Sequence, residues 1–215
     1  HKGLKKHIYM SAVQRRYLNR ASTVQALTNA EASQVSAIAP AASPTVIPNG
    51  LDLRATDSGS WQQLSSAVQE FLTSHRVITF MGRLHQKKGI EPLVEGFLKI
   101  SKDIPDIALL FVGPDEGEFT SSIKSQAGES GVAKRVMVAG AINGDERFEI
   151  LRRSSAFALT SYSEGFSMAV LEALASRIPV IISPACYFPE AIDAGAGILT
   201  EPEPESIANA LTEVL

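Results

Sequence analysis

The chain has 215 residues, of which 45% are hydrophobic and 20% are charged, and its formal net charge is −3. This is the composition of an ordinary globular protein with enough apolar side chains for a sizeable core. The single cysteine, Cys186, excludes an internal disulfide, and no Cys/His cluster has zinc-site spacing. No apolar run reaches the roughly 18 residues of a membrane span. We therefore expect a cytoplasmic protein in a reducing compartment.

The charge is distributed unevenly along the chain. Residues 1–30 contain six basic side chains and no acidic one, whereas the remainder has 14 basic and 23 acidic residues. The basic segment is either an ordinary solvated helix face or a contact with an anionic membrane. The second alternative places the protein peripherally at the inner face of a membrane. Bases and aromatic residues do not interleave elsewhere, so nucleic acid is not an expected partner.

The first fifty residues predict a small helical and strand-forming region. Apolar residues at helical spacing predict an amphipathic helix over residues 3–20, and residues 22–27 predict a short strand. The sequence TNAE at 28–31 has the capping-box pattern and predicts a helix to about residue 39. Residues 39–50 are rich in Pro, Ala and Ser, which predicts a linker or domain boundary.

The rest of the chain alternates between strands and helices after a segment that is helical near residues 61–73. The predicted strands are residues 76–82, 107–113, 135–140, 156–161, 179–183 and 197–200. The predicted helices are residues 90–102, 117–128, 144–153, 167–176, 188–194 and 204–215. The strands are apolar without alternation, so we predict an α/β fold with a parallel sheet covered by helices on both faces. Ligands bind such sheets beyond the carboxyl ends of the strands.

The loop GRLHQKKG at 82–89 follows one predicted strand and contains several cations. Arg83 offers a planar fork and Lys87 or Lys88 a point charge, and both suit phosphate oxygens. A surface-charged loop is the alternative interpretation. The chain contains neither GxxxxGK[ST] nor GxGxxG, which argues against a Walker A site and a nicotinamide site.

The stretch SEGFSMAVLEAL at 163–174 holds two acids, Glu164 and Glu172, in nearly uncharged surroundings. The predicted helix start between them offers free backbone amides to an anion. Eight residues of helix rise roughly 12 Å, so the two carboxylates are too far apart to share a proton or metal easily. They would contact different parts of one elongated ligand. Alternatively, Glu172 is an exposed helix residue and Glu164 favours the helix dipole.

Four motifs together resemble the C-terminal half of a group 1 (family 4) nucleotide-sugar-dependent glycosyltransferase. They are IPNGLD (47–52), GRLHQKKG (82–89), LLFVGP (109–114) and SEGFSMAVLEALASRIPVI (163–181). The resemblance implies a GT-B architecture, in which two Rossmann-like domains face each other across a cleft. Residues 46–215 would be the donor-binding domain, truncated at its C-terminus. Residues 1–45 would be a helix-strand-helix remnant of the acceptor-side domain with the linker.

The resemblance also implies a role for each matching residue. The donor diphosphate would be bound by Gly82, Arg83, Lys88, Gly165, Phe166 and Ser167. Glu172 would bind the ribose hydroxyls, and Glu164 would be the catalytic residue, which meets the transferred sugar. Gly113, Ala141 and Ile142 would lie beside the base. No metal or other cofactor is implied.

The implied reaction is transfer of a hexose from a UDP- or GDP-sugar to a glycan or lipid-linked acceptor in polysaccharide biosynthesis, with retention of configuration. A catalytic histidine would come from the missing domain, so this fragment alone would be inactive or weakly active. A GT-B sugar-nucleotide epimerase or phosphorylase is one alternative. A non-catalytic module that binds nucleotide or membrane is another.

Two positions depart from the family pattern. Arg177 stands where the family often has a glycine that eases a left-handed helix cap. The loop ACYFPEAI at 185–192 lacks the usual glycine pair. We expect Cys186, Tyr187 and Phe188 to shape the donor-sugar pocket instead.

Overall fold

The computed structural model of the chain describes residues 13–142 and 144–215. It divides into two compact units with the boundary between Gly50 and Leu51. Residues 3–12 of the helix predicted over 3–20 lie outside the described residues. The origin of the first unit as the remnant of an acceptor-side domain stays a prediction.

In the part of the first unit that the structure describes, from residue 13 onward, there are two short helices and two strands. They are α1 (Arg15–Leu18), β1 (Val24–Ala26), α2 (Asn29–Ile38) and β2 (Pro44–Val46). The hydroxyl of Thr28 accepts a hydrogen bond from the amide of Glu31 at 3.1 Å. The carboxylate of Glu31 accepts one from the amide of Leu27 at 2.7 Å. The capping pattern therefore starts α2. The Glu31 carboxylate bonds to the amide of Leu27, one residue before Thr28.

The interpretation of residues 39–50 as a linker was wrong in part. Strand β2 lies inside this segment and pairs in parallel with β1, with Val24 opposite Pro44. Three residues that begin with proline give almost no strand pattern, and proline is tolerated only at strand starts and edges. The pairing therefore depends on the position of β1, which local sequence does not encode.

The second unit carries one sheet with strand order β5-β4-β3-β6-β7-β8, and every pair is parallel. The strands are β3 (Arg76–Met81), β4 (Ile107–Val112), β5 (Val136–Gly140), β6 (Ala156–Leu159), β7 (Val180–Ile182) and β8 (Gly197–Leu199). The helices are α3 (Ser66–Ser74), α4 (Ile90–Ile100), α5 (Phe119–Glu129), α6 (Glu146–Arg153), α7 (Met168–Ala175), α8 (Pro189–Asp193) and α9 (Pro204–Val214). The predicted α/β class and parallel sheet are confirmed.

The central strands are apolar because helices cover both of their faces. All six residues of β4 are buried, as are five of the six in β3. Phe80 and Phe111 lie opposite each other on these strands, with ring centroids 5.6 Å apart. Helix α4 packs against α5 and α9, whereas α6 packs against α3 and α7. Right-handed crossovers put these two groups on opposite faces of the sheet.

The direction of the connections reverses between β3 and β6, which are neighbours in the centre of the sheet. From β3 the chain moves through β4 to β5, and from β6 it moves the other way through β7 to β8. The loops that leave the carboxyl ends of β3 and β6 therefore diverge over opposite faces. Ligands of open α/β sheets bind in the crevice at such a reversal.

The helical structure predicted near residues 61–73 is confirmed by α3, which begins at Ser66 rather than at residue 61. The segment before α3 forms two short 3₁₀ helices, Leu53–Asp57 and Trp61–Gln63. The 3₁₀ helices pack against α6. The hydroxyl of Ser58 and the carboxylate of Asp145 are 2.5 Å apart. This segment is thus held against the start of α6 rather than by helical periodicity of its own.

Helix α7 ends in a left-handed cap at Arg177, as its departure from the family pattern indicated. Arg177 has φ +63° and donates its amide to Leu174 at 3.0 Å. The amide of Ile178 bonds to Ala173 at 3.4 Å, which completes a Schellman motif with the buried Ile178 side chain. A left-handed backbone is strained for arginine, because Cβ approaches the carbonyl oxygen.

Replacing Arg177 by glycine is expected to raise the free energy of unfolding by about 1 kcal/mol, since glycine adopts positive φ without a Cβ clash. The Arg177 side chain is exposed, so little packing is lost. Urea unfolding followed by circular dichroism measures the change. Arg177→Ala is the matched control, because it shortens the side chain but keeps Cβ. An equal gain in both variants would contradict the backbone explanation.

Candidate functional site

The loops after β3 and β6 are joined to each other at the reversal point of the sheet. The amide of Tyr162 donates to the carbonyl of Lys87 at 2.8 Å. The hydroxyl of Thr160 donates to the carbonyl of Gly89 at 3.2 Å. Gly89 has φ +66°, and a Cβ there would lie 2.1 Å from the carbonyl oxygen of Thr160. The two loops can approach this closely only because residue 89 is glycine.

Lys88 and Glu164 form an ion pair inside this junction. The ammonium of Lys88 and a carboxylate oxygen of Glu164 are 2.5 Å apart, and their side chains are 20% and 10% exposed. The hydroxyl of Ser161 donates to the same oxygen at 2.6 Å. A carboxylate this buried needs such partners, because desolvating an unpaired charge is costly. The structure therefore brings together two residues that the sequence assigned to one ligand.

Arg83 has a different and more exposed partner. Its Nη1 lies 3.2 and 3.1 Å from the two carboxylate oxygens of Glu116, which follows β4. The Arg83 side chain is 64% exposed. Exposed pairs contribute about 0–1 kcal/mol, so an incoming anion could replace Glu116 at little cost. Lys87, which the sequence could not separate from Lys88, is exposed.

The segment between Glu164 and α7 presents backbone amides. Ser167 is the N-cap of α7 and is buried, while Gly165 is exposed. Within residues 13–142 and 144–215, no acceptor bonds to the amides of Gly165, Phe166 or Ser167. The ring of Phe166 packs on Phe188 at a centroid distance of 4.9 Å, which fixes the segment. A helix start with unpaired amides favours an anion.

Glu172 does not meet Glu164 but pairs with a cation of its own. Nε of Arg147, in the first turn of α6, lies 3.1 Å from Oε1 of Glu172. The Arg147 and Glu172 side chains are 29% and 13% exposed. The two glutamates of the motif are thus held by separate cations from separate elements. The carboxylate oxygens of each glutamate can still accept hydrogen bonds from a different part of a ligand.

The residues predicted to lie beside the base are placed at the ends of β4 and β5. Gly113 donates its amide to Gly140 at 2.8 Å, and a Cβ on Gly113 would lie 1.9 Å from the carbonyl oxygen of Gly82. The ends of β3, β4 and β5, at Gly82, Gly113 and Gly140, therefore lie close together with no side chains between them. Ala141 and Ile142 line a cavity of about 420 Å³, whose other lining residues include Gln63 and Ser65 but not Gly113.

Asp115 organises the loop between β4 and α5. Its carboxylate accepts hydrogen bonds from the amides of Gly117, Phe119 and Thr120 at 3.1, 3.0 and 2.8 Å. The bonds from Thr120, then those from the other two amides, lower the pKa of Asp115 to about 2. The loop that carries Glu116 is therefore ordered around a carboxylate that stays ionised in mild acid.

The expectation that Cys186 shapes a sugar pocket was wrong. Cys186 is fully buried, and its thiol donates to the carbonyl of Leu159 at 3.3 Å. Burial raises the pKa of this thiol. Tyr187 and Phe188 do line a largely apolar cavity of about 410 Å³ with Leu199. The thiol lies inward, in contact with the carbonyl of Leu159 at the end of β6 and with the hydroxyl of Ser183.

Sequence reasoning missed the partners of the predicted charges, namely Arg147, Glu116 and Ser161. Arg147 and Glu116 lie 25 and 33 positions from their partners, so only the fold brings those pairs together, whereas Ser161 lies three residues before Glu164. The available signal for Arg147 was the run of charged residues at 145–147, at the start of α6. Among the described residues, no group of three His, Cys, Asp or Glu side chains could hold a metal ion. Within the same residues, no helix is long and apolar enough to cross a membrane.

Comparison with known proteins places the chain in a family. A family profile described as glycosyl transferases group 1 matches residues 56–215. A D-inositol 3-phosphate glycosyltransferase of Segniliparus rotundus is 29% identical over 159 residues, which are 73% of this chain and 35% of that protein. An uncharacterised glycosyltransferase of Methanocaldococcus jannaschii is 30% identical over 178 residues, covering 79% of this chain and 44% of that protein. The chain thus spans less than half the length of these relatives.

Solved structures share the fold. The Anabaena protein HepE, in complex with UDP and glucose, has a TM-score of 0.79 at 23% identity over 97% of this chain and 58% of its own. Sucrose-phosphate synthase of Thermosynechococcus elongatus has a TM-score of 0.76 at 24% identity, over 94% of this chain and 51% of its own. These likenesses establish the fold of GT-B glycosyltransferases.

Replacing Gly89 by alanine is expected to lower the free energy of unfolding by about 2 kcal/mol or more, because both the left-handed backbone and the contact with Thr160 become strained. Chemical denaturation measures the change. Gly128→Ala is the control: Gly128 lies in α5 with no atom within 4 Å of a built Cβ, and alanine there should stabilise by about 0.5–1 kcal/mol. A Gly89→Ala variant as stable as wild type would show that the loop junction is not tight.

Proposed function

Because the chain belongs to the group 1 glycosyltransferase family, we propose that it is the donor-binding half of a family 4 enzyme. This enzyme transfers a hexose from a UDP- or GDP-sugar to a glycan or lipid-linked acceptor with retention of configuration. The single observation that carries the proposal is the Lys88–Glu164 pair at 2.5 Å in the crevice where the sheet reverses. A cation, a carboxylate and free amides there match the phosphates and sugar of one donor.

The donor diphosphate binds by exchange of partners. Its oxygens take the place of the Glu164 carboxylate at Lys88 and of Glu116 at Arg83. The amides of Gly165, Phe166 and Ser167 add neutral donors to the same anion. Each charge-assisted hydrogen bond contributes on the order of 1.5–3 kcal/mol. Once released by Lys88, the carboxylate of Glu164 is free to accept hydrogen bonds from the hydroxyls of the sugar.

The chemical step breaks the bond between the anomeric carbon of the sugar and the diphosphate oxygen. The electron pair of this bond leaves on the diphosphate, whose added negative charge lies beside Arg83, Lys88 and the start of α7. Groups fixed where charge develops stabilise the transition state more than the ground state. The acceptor hydroxyl attacks the same carbon and gives its proton to the catalytic base, which belongs to the other half of the enzyme. We propose that these residues supply the charge stabilisation and that no metal takes part.

The remaining parts of the donor lie toward β5. The carboxylate of Glu172 accepts the ribose hydroxyls, and the base lies near Gly113, Ala141 and Ile142. Solved structures of HepE are complexes with UDP and with UDP-glucose, which supports a nucleotide-sugar donor for this fold. The Segniliparus relative is a D-inositol 3-phosphate glycosyltransferase, which supports glycosyl transfer as the reaction.

The acceptor and its catalytic base belong to the other half of the enzyme, so this chain alone binds donor and transfers weakly. We further propose a cytoplasmic location with peripheral contact to anionic lipid through the basic segment. The exposed side chains of Arg15, Arg16 and Arg20 support this contact.

Titration calorimetry with UDP, GDP and their glucose conjugates tests the donor site. Arg83→Ala and Lys88→Ala are each expected to weaken binding by about tenfold or more, because each removes a charge-assisted bond to the diphosphate. Lys87→Ala is the matched control in the same loop, and its affinity should stay within about twofold of wild type. The melting temperature of each variant separates lost binding from lost folding.

The proposal is contradicted if none of these nucleotides binds, or if Lys87→Ala and Lys88→Ala have the same affinity. Incubation of a UDP-sugar without acceptor tests the main alternative. Appearance of the epimeric sugar nucleotide would favour an epimerase over a transferase.

A further inference from the structure

Arg147 is the charged residue closest to the proposed ribose site that no motif singled out. It is the second residue of α6, directly after the loop that contains Ala141 and Ile142. A cation in the first turn of a helix is unfavourable, because the helix dipole is positive there. Its position is therefore not explained by the stability of α6.

The guanidinium of Arg147 joins two parts of the site. Its Nε donates to Oε1 of Glu172 on α7, at 3.1 Å. Its Nη1 donates to the carbonyl of Gly144 in the loop after β5. The group also lies 4.4 Å from the ring centroid of the fully buried Phe148, which holds its plane. A planar fork can make these contacts together, whereas an ammonium group is a point donor.

These contacts fix the carboxylate of Glu172 in one orientation. Among the described residues, only Oε1 of the carboxylate accepts a hydrogen bond, and Arg147 is its only donor. Oε2 is left to accept hydroxyls from a ligand. A carboxylate whose rotamer is locked by a second residue loses less entropy when a ligand binds.

We propose that Arg147 is a positioning residue for ribose recognition, which couples the orientation of Glu172 to the loop beside the base. The inference rests on the proposed function, because it takes Glu172 to be the ribose-binding residue. It predicts that Arg147 sets the discrimination between a nucleotide with the 2′-hydroxyl and one without it. Arg147 does this through Glu172 rather than by contact with the reacting atoms.

The test is calorimetry on the full chain with UDP and 2′-deoxy-UDP, and with GDP and 2′-deoxy-GDP in parallel. Wild type is expected to prefer the ribonucleotide by about tenfold or more, as one charge-assisted bond gives. Arg147→Ala should reduce this preference to within about threefold, mainly by weakening the ribonucleotide. Arg147→Lys should fail to restore it, because lysine lacks the fork.

Arg153→Ala is the matched control. Arg153 lies on the same helix, and its Nε pairs with Oε1 of Glu149 at 2.6 Å, outside the proposed site. Its removal can lower stability but should leave the preference unchanged. If Arg147→Ala does not fold, Arg147→Gln keeps most of the side chain and is measured in its place.

Glu172→Gln separates the two hypotheses. If Glu172→Gln keeps the wild-type preference, the ribose assignment in the proposed function fails. If Glu172→Gln loses the preference while the Arg147 variants keep it, the positioning role is overturned and the ribose assignment stands. Equal weakening of ribo- and deoxyribonucleotide by Arg147→Ala also overturns it, because a merely structural role predicts that result.

Discussion

Lys88 and Glu164 lie in contact at the point where the connections of the sheet reverse, and the arrangement of both neighbouring loops depends on this pair. Two charges with side chains only 20% and 10% exposed lose hydration that their mutual attraction regains only with good geometry. Ser161 supplies a further bond at 2.6 Å, and Gly89 lets the backbones approach. A buried ion pair adds little net stability, because desolvation of the two charges opposes their attraction. This junction is well suited to an anion that can replace the carboxylate at the ammonium.

The same logic extends along the carboxyl edge of the sheet. Arg83 is held by Glu116, and Glu172 is held by Arg147, so each proposed ligand-binding charge has an internal partner of opposite sign. The partners differ in burial: Glu116 is easily displaced, whereas Arg147 is partly buried and fixed by Gly144 and Phe148.

We infer that the diphosphate end of the site works by exchange of ion pairs. The ribose end works by a carboxylate that is already oriented. The strand ends at Gly82 and Gly113 can approach this closely only because residue 113 is glycine, since a Cβ there would lie 1.9 Å from the carbonyl oxygen of Gly82.

Much of this arrangement could be predicted from the sequence, because its signals are local. Uninterrupted apolar runs predicted the strands of a parallel sheet. The cations of 82–89 and Glu164 lie between a strand and a helix, and Glu172 lies in α7, as predicted. Even the left-handed Arg177 could be predicted, since the family pattern marks that position for glycine.

The features that the sequence did not predict depend on contacts between distant parts of the chain. Strand β2 forms by pairing with β1, and the inward position of Cys186 depends on its contact with Leu159. The Arg147–Glu172 pair joins residues 25 positions apart. No local pattern specifies which cation turns toward which carboxylate, because that follows from how α6 and α7 pack.

A crystal structure of the chain with bound UDP would test the central claim most directly. The account predicts that phosphate oxygens lie within hydrogen-bond distance of Lys88 Nζ and of the amides at 165–167. It also predicts that Lys88 and Glu164 have separated from their 2.5 Å contact. A nucleotide bound elsewhere, with the Lys88–Glu164 pair intact, would contradict the account.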